Sequence, residues 1–447
     1  MSKFSFIHTA DLHLGSSLKI SNKNFTAETK KLFSRANYDA FARLVDCALE
    51  KEVDFLLLAG DVYDCEERSI KANRFFKEQC QRLAEAGIKV YLIAGNHDSL
   101  GKKRELFNLP DNVIEFSAQQ VENYEVLGDD DQVLARVFGQ SYQNKFEAEP
   151  IYKNYQPQMS DKFNIALLHT QLEPDNKKYV PVSKTKLMEN ADINYWALGH
   201  IHQCQIVEKN NPAIVYPGNL QGRDFGEQGI KGAVLVEVDS QNQLSYNFIP
   251  TSKIVFKEIE LDLNQLEEKI ENITQLKDAI ANKAEQLSKQ LAKSSQNLIN
   301  YEKDFSKYFS GYVLRWVVKG SGEIHNTIAQ QPQAVAAELK SLLNQSQFSP
   351  YNIWSAEVKF LTRAQLPSLE ELAEDRPVAA EIARVFSDAK NDPELKMILQ
   401  DELGDIWGAS LDHEDFDRRK FQLDEQAYDD VLEATKNLIV ARIMDEE

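Results

Sequence analysis

A chain of 447 residues is too long for one ordinary core, so a large domain of about 250 residues with one or two smaller ones is expected. Hydrophobic residues at 43%, charged residues at 27%, and only 18 Gly and 13 Pro exclude wholesale disorder and a fibrous chain. The net charge of -19 also argues against a generic nucleic-acid binder with a basic footprint.

The distribution of that charge weakens the last objection. Residues 366–447 hold 23 acidic against 9 basic residues, a net of -14, whereas the first 365 residues carry a net of only -5. A near-neutral main domain can still focus phosphates at a cleft filled by cations. No apolar run approaches the roughly 18 residues of a bilayer span, and His8 comes too early for a signal-peptide core. The four cysteines, Cys47, Cys65, Cys80 and Cys204, form no C-x-x-C pair. No membrane association and a cytoplasmic location are the expectations.

The first 250 residues repeat one pattern, a short apolar run ending in a polar cluster. The runs are Phe4 to Ile7, Val53 to Ala59, Val90 to Ala94, Ile165 to Leu168, Tyr195 to Leu198 and Ala213 to Tyr216. Each reads as a buried strand. Phe33 to Glu50 and Ser69 to Ala86 are amphipathic and long enough for crossover helices, so the pattern predicts an α/β sheet. Ligands of such sheets gather beyond the carboxyl ends of the strands, where each polar cluster falls.

Past about Thr251 the texture changes. Lys253 to Leu261, Tyr312 to Val318 and Ile353 to Leu361 read as strands, and Gln333 to Leu343 as a helix. Asn264 to about Phe309 has apolar residues at helical intervals, including Leu266, Ile270, Ile273, Ile280, Leu287 and Leu291, which predicts a long helical insertion. The segment from Pro367 on predicts short acidic helices.

Six of the eight histidines sit in the strand-end clusters, accompanied by Asp11, Asp61, Asp64, Asn96 and Asp98. Mixed imidazole, carboxylate and carboxamide donors suit a borderline or hard divalent cation such as manganese. Each motif alone is weak, because a Gly-Asp after a strand is usually a turn. Their order carries the signal: D-x-H at Asp11, G-D-x-x-D at Gly60, G-N-H-D at Gly95, H-T at His169 and G-H-x-H at Gly199.

That series resembles the calcineurin-like metallophosphoesterases. Asp11–Leu12–His13–Leu14–Gly15, Tyr216–Pro217–Gly218–Asn219, Phe225–Gly226–Glu227 and Lys231–Gly232 are similar to the SbcD branch, and the Asn219–Leu220–Gln221–Gly222 run to its YhaO-like subgroup. The likeness covers about residues 1–250, and residues 251–447 only in layout. It implies a four-layer αββα metallophosphoesterase sandwich (1–250), a smaller α+β capping domain (251–365) and an acidic helical C-terminal tail that binds an ATPase partner (366–447).

The resemblance further implies two divalent ions, manganese with magnesium as the alternative. Asp11, His13, Asp61 and His202 would hold one, and Asp61, Asn96, His169 and His200 the other, with Asp61 shared. His97 would be catalytic, stabilising the transition state and protonating the leaving oxygen, with Asp64 orienting it. The implied function is a manganese-dependent DNA exonuclease and endonuclease subunit, 3′ to 5′ in its exonuclease direction. It would act in double-strand break and end processing, as a homodimer with an SbcC-like coiled-coil ATPase. One alternative is a small-molecule phosphatase or cyclic-nucleotide phosphodiesterase, although Cys65 and Glu66 break the phosphatase motif G-D-x-x-D-R-G. Another is an inactive scaffold on DNA ends, which the full ligand set opposes.

Other residues have blander readings. His8 is structural, His325 and His413 solvated, Lys102–Lys103–Arg104 a solvated charged face, and Ile70, Phe75, Phe76, Cys80 and Leu83 mostly core. Asp98 either caps a following helix or orients a metal-binding imidazole. Arg223, leaving a loop beside the ligands, is the candidate substrate-binding residue, a phosphate contact, with a purely structural role equally open.

Overall fold

Alternation of side chains builds the first sheet. In β1 (Phe4–Thr9), β2 (Phe55–Ala59) and β3 (Lys89–Ile93), Ile7, Leu56, Leu58, Val90 and Leu92 enter one buried cluster while Phe6, Phe55, Leu57, Tyr91 and Ile93 enter another. Both faces are covered, which is why these strands read as unbroken apolar runs. The computed structural model describes residues 3–20, 25–64, 69–101, 108–128, 131–157, 162–173, 178–290, 305–365, 368–398 and 425–445. The charged run at 102–104, Cys65, Glu66, Leu291, His413 and the middle of the tail lie outside them.

Two six-stranded mixed sheets face one another. The first has the order β12-β11-β1-β2-β3-β4, with β4 Val113–Glu115, β11 Gly232–Val238 and β12 Leu244–Pro250. The second has the order β5-β6-β7-β8-β10-β9: β5 Glu122–Leu127, β6 Val133–Gly139, β7 Phe163–His169, β8 Tyr195–Gly199, β9 Gln205–Glu208 and β10 Ala213–Tyr216. Strands β1 to β4 run parallel, as do β6, β7, β8 and β10. The aromatic cluster of Phe4, Phe6, Phe55, Phe163 and Tyr195 fills the space between the sheets.

Helices α1 (Ala27–Glu50) and α2 (Ile70–Glu85) cover the outer face of the first sheet through Phe41, Leu44, Phe76 and Leu83. Thr26 and Ser69 cap them by accepting from the Thr29 and Ala72 backbone N–H groups. The outer face of the second sheet is covered by Ile151, Tyr155 and Leu187, the last on the short helix α3 (Lys184–Met188). The expected α/β sandwich is present.

The chain divides into two compact units, one of residues 1–261, 273–318 and 332–360, the other of 262–272, 319–331 and 361–447. The first unit also contains most of a three-stranded sheet, β13 (Ile254–Asp262), β14 (Gly311–Ser321) and β15 (Asn352–Arg363). Ile254, Phe256, Val313 and Trp354 join Phe25 and Phe33 in one core, so this sheet is fastened to the α1 side. Helices α4 (Ile273–Ser288), α5 (Phe305–Tyr308) and α7 (Pro332–Gln345) belong to the first unit and α6 (Ile324–Gln330) to the second, in which α8 (Leu369–Asp375), α9 (Pro377–Lys390) and α10 (Glu425–Asp445) share a small core around Leu369, Ala379 and Val440. Among the described residues no helix is long and apolar enough to cross a membrane.

Three expectations need correction. The helix expected from Asn264 begins only at Ile273 (α4, Ile273–Ser288), so Leu266 and Ile270 are not helical. Ile70 is 68% exposed, because it opens α2 on the solvent side, unlike buried Phe76, Cys80 and Leu83. His325 is not simply solvated: its ring is partly buried and bonded to the Thr362 hydroxyl.

Candidate metal centre

The site grows from the carboxyl ends of five strands. β1 delivers Asp11 and His13, β2 delivers Asp61 and Asp64, β3 delivers Asn96 and His97, β7 ends on His169, and β8 leads to His200 and His202. Asp11, His13, Asp61 and His200 all have positive φ, of 54°, 44°, 55° and 94°. Such backbones cost non-glycine residues about 1–3 kcal/mol each and persist where surrounding structure compels them, characteristically at functional sites. Here the loops are tied to each other: Asp11 N donates to Gly60 O, His13 N to Asp61 O, and Leu14 N to Val62 O.

Two glycines let the sheets close upon the site. A Cβ at Gly199 would collide with the Ala59 carbonyl, and one at Gly95 with the Asp61 carboxylate and the His169 ring. This steric demand explains the glycine in front of both the N-H-D and the H-x-H motifs.

The seven predicted ligands form a continuous cluster. Donor atoms of Asp11, His13 and His202 lie within 4.8 Å of one another, as do those of Asp11, Asp61 and His169. Asn96 Oδ1 is 2.9 Å from His169 Nε2 and 3.0 Å from His200 Nδ1, which brings in the remaining two. Asp11 is the residue common to the two triads, while Asp61 Oδ2 sits 3.4 Å from His169 Nε2. The expected catalytic pair is also together, with His97 Nδ1 2.8 Å from Asp64 Oδ1 and its backbone N–H donating to Asp61 Oδ1 at 2.8 Å.

Several observations fit a divalent ion. The donors are all nitrogen and oxygen, and the described residues contribute no cysteine to them. Two ring nitrogens, His13 Nε2 and His202 Nε2, approach to 3.2 Å, where one neutral ring can donate to the other and where both nitrogens can face a single cation. His13 Nδ1 is buried without a hydrogen-bond partner. His169 Nδ1 donates to the Ala59 carbonyl at 2.9 Å, which turns Nε2 towards the cluster.

Electrostatics reinforce this. Burial pushes the Asp11 carboxyl up to about 6 and the His200 ring down to about 3. Burial alone would also raise Asp61, yet His169, His13 and His97 together hold it well below the usual carboxylate range. The hydrogen bond from His97 keeps Asp64 low, and the same bond raises the imidazole.

Residues weighed for other roles separate clearly. His8 is fully buried outside the cluster, bonded to the Tyr195 hydroxyl, and burial lowers its ring to about 3. Among the described residues Asp98 caps no helix and touches no imidazole at hydrogen-bond distance. It accepts from the Val62 and Gly95 backbone N–H groups at 2.7 Å and so ties two ligand loops together. Arg223 lies beside the site, its Nη1 3.6 Å from Asp64 Oδ2, but its Nη2 donates to Glu227 Oε1 at 2.8 Å.

Four supporting residues had no role assigned from the sequence: Asn37 and Tyr142, which belong to none of its motifs, and Glu227 and Lys231, which appear there only as motif members. Asn37 donates to the His13 carbonyl, Tyr142 to the His169 carbonyl and Lys231 to the His202 carbonyl. Asn37 left a trace, being a polar residue on the apolar face of a crossover helix.

The sandwich of two mixed sheets and its strand-end cluster are consistent with a metallophosphoesterase. Residues 4–204 match the calcineurin-like phosphoesterase family. It is similar to the uncharacterized metallophosphoesterase YhaO of Bacillus subtilis, 35% identical over 270 residues, 59% of this chain and 64% of that protein. The DNA double-strand break repair protein Mre11 of Methanocaldococcus jannaschii is 29% identical over 269 residues, 57% of this chain and 67% of its own. That of Archaeoglobus fulgidus is 28% identical over 244 residues, 50% and 51% of the two chains. The chain thus spans about half to two thirds of the length of these relatives.

Proposed function

We propose that the chain is a manganese-dependent DNA nuclease, hydrolysing phosphodiester bonds with exonuclease and endonuclease activity at DNA ends. It would act as a homodimer with a coiled-coil ATPase of the SbcC type, bound through the tail. The observation that carries this reading is the convergence of seven nitrogen and oxygen donors beside the His97–Asp64 pair. The names of the Mre11 relatives supply DNA as the substrate.

In this reading Asp11, His13, Asp61 and His202 hold one ion, and Asp61, Asn96, His169 and His200 the other. When bound, such ions supply Lewis-acid stabilisation of the charge on a transferring phosphoryl group. The protein's own groups do the rest. Asp64 accepts from His97 Nδ1–H and its charge favours the imidazolium, whose second proton, on Nε2, can pass to the leaving oxygen and leave the neutral Nδ1–H ring behind. The His97 side chain is 35% exposed, which leaves it accessible to substrate. Arg223, charged and 3.6 Å from Asp64 through Nη1, would contact a phosphate oxygen in this reading.

The test is cleavage of end-labelled linear duplex by the purified chain with Mn2+, and its loss on chelation. A chain that hydrolyses a small phosphate ester while leaving DNA intact would overturn the nuclease reading in favour of a phosphatase.

A further inference from the structure

We propose that Glu227 is a positioning residue, whose carboxylate fixes the tautomer and orientation of His202 and so sets how tightly one of the two ions is held. The inference rests on the reading of His202 as a ligand. It adds a residue outside the ligand and catalytic sets.

Glu227 lies in the loop that follows β10. Its Oε1 accepts from His202 Nδ1 at 2.7 Å and from Arg223 Nη2 at 2.8 Å. Its Oε2 accepts from Asn219 Nδ2 and from the Arg223 backbone N–H, both at 2.8 Å. Both oxygens are therefore committed to the protein. An ionised carboxylate can only accept, so His202 must carry its proton on Nδ1. The lone pair then resides on Nε2, which lies 3.2 Å from His13 Nε2 and 3.8 Å from Asp11 Oδ1. A ligand nitrogen aimed at the cluster is the consequence.

His202 requires this support more than its neighbours. The His169 side chain is fully buried and anchored to a carbonyl inside β2. His202 lies three residues past the end of β8, and its side chain is 25% exposed. Without a partner at Nδ1 the ring could rotate or exchange tautomers. Arg223 balances the charge of the carboxylate, and Lys231 holds the His202 backbone by donating to its carbonyl at 2.8 Å. The alternative role for Glu227 is to close the 219–227 loop, which affects stability without regard to any ion.

The test uses the full chain, stripped of metal and titrated with Mn2+ alone by calorimetry, without DNA. Glu227→Ala should weaken one of the two Mn2+ sites by about 10- to 100-fold, as losses of ligand-orienting partners do, and leave the other within about threefold. In the metal-free protein, ¹⁵N signals of His202 should move from the Nδ1–H form to a tautomer mixture. The near-isosteric Glu227→Gln, which presents an N–H₂ to one pair of donors, should show the same change if the alanine variant fails to fold. Unchanged Mn2+ binding with an unchanged tautomer, or equal weakening of both sites, would overturn the proposal in favour of loop closure. Wild-type protein that binds two Mn2+ but leaves DNA uncut would remove the nuclease reading and leave this one standing. Wild-type protein that takes up no Mn2+ would remove both.

Discussion

His97 and Asp64 are joined at 2.8 Å through Nδ1 and Oδ1, although 33 residues separate them in the chain. The contact raises the imidazole and lowers the carboxyl, so the proton they share sits on Nδ1 of the ring and not on the carboxylate. His97→Asn should therefore reduce turnover by about 10²-fold or more while the Mn2+ content stays near normal. Asp64→Asn should reduce turnover less, because an amide oxygen at the same place can still accept from His97 Nδ1–H while the His97 main chain stays bonded to Asp61. Elemental analysis beside single-turnover cleavage checks both; an equal loss of metal and rate in His97→Asn would show that the ring is a ligand.

Asp61 combines full burial with three imidazoles acting on its charge. Asp61→Ala should lose at least one ion and with it measurable cleavage. Full activity in this variant would sink the metal assignment.

The pH dependence of metal uptake follows from His169. Burial alone would lower its ring, but the Asp61 carboxylate outweighs burial and lifts it to about 9. An ion must displace that proton, so Mn2+ affinity should rise by up to about tenfold per pH unit between pH 7 and 8. The stability of metal-free protein runs the other way. A pKa raised above its unfolded value gives stability that is full below about 6.5 and lost as pH climbs through about 9. Calorimetry and thermal unfolding of the metal-free chain at several pH values read the two trends, and an affinity flat across this range would contradict the assignment.

Gly199 and Gly87 make a matched pair for the steric argument. A Cβ at Gly199 meets the Ala59 carbonyl, whereas one at Gly87 meets nothing within 4 Å, though its φ is +75°. Gly199→Ala should destabilise by about 3 kcal/mol or more. Gly87→Ala should cost only about 1–2 kcal/mol of backbone strain. Urea unfolding compares them, and equal losses would show that the close approach of the sheets is relaxed.

What the sequence discloses depends on how each segment is buried. Strands β1, β2, β3, β7, β8 and β10 are covered on both faces and appear as continuous apolar runs with a polar terminus. Strand β5 is mostly exposed and β9 only half-buried at a sheet edge, so neither leaves such a run. The ligands were legible because they sit immediately beyond readable strands. Glu227 was visible only as part of a motif, since its partner His202 is 25 residues away and nothing local reports their contact. Leu266 and Ile270 show the converse error, an apolar spacing that suits a helix in a segment that forms none.

The tail offers the last test. Its helices already use one apolar stripe internally: Leu372, Ile382, Phe386 and Ile443 pack around Leu369, Ala379 and Val440. A capping box at Ser368 and Glu371 starts α8, and the Tyr428 hydroxyl donates to the Ala389 carbonyl, so these helices hold each other. That leaves Val378, Val385 and Leu438 outside, 69%, 53% and 65% exposed. Val378 and Val385 are seven residues apart and thus share one face of α9. An acidic surface does not track phosphates, because like charges repel, so an apolar face within it suits a protein helix better than DNA. Val378→Glu with Val385→Glu should change stability by no more than about 1 kcal/mol, since both side chains are solvent-exposed. Cleavage of simple DNA substrates should persist, while co-purification with the coiled-coil ATPase proposed as the partner should be lost. Retention of the complex by the double variant, at unchanged stability, would place the partner elsewhere on the chain.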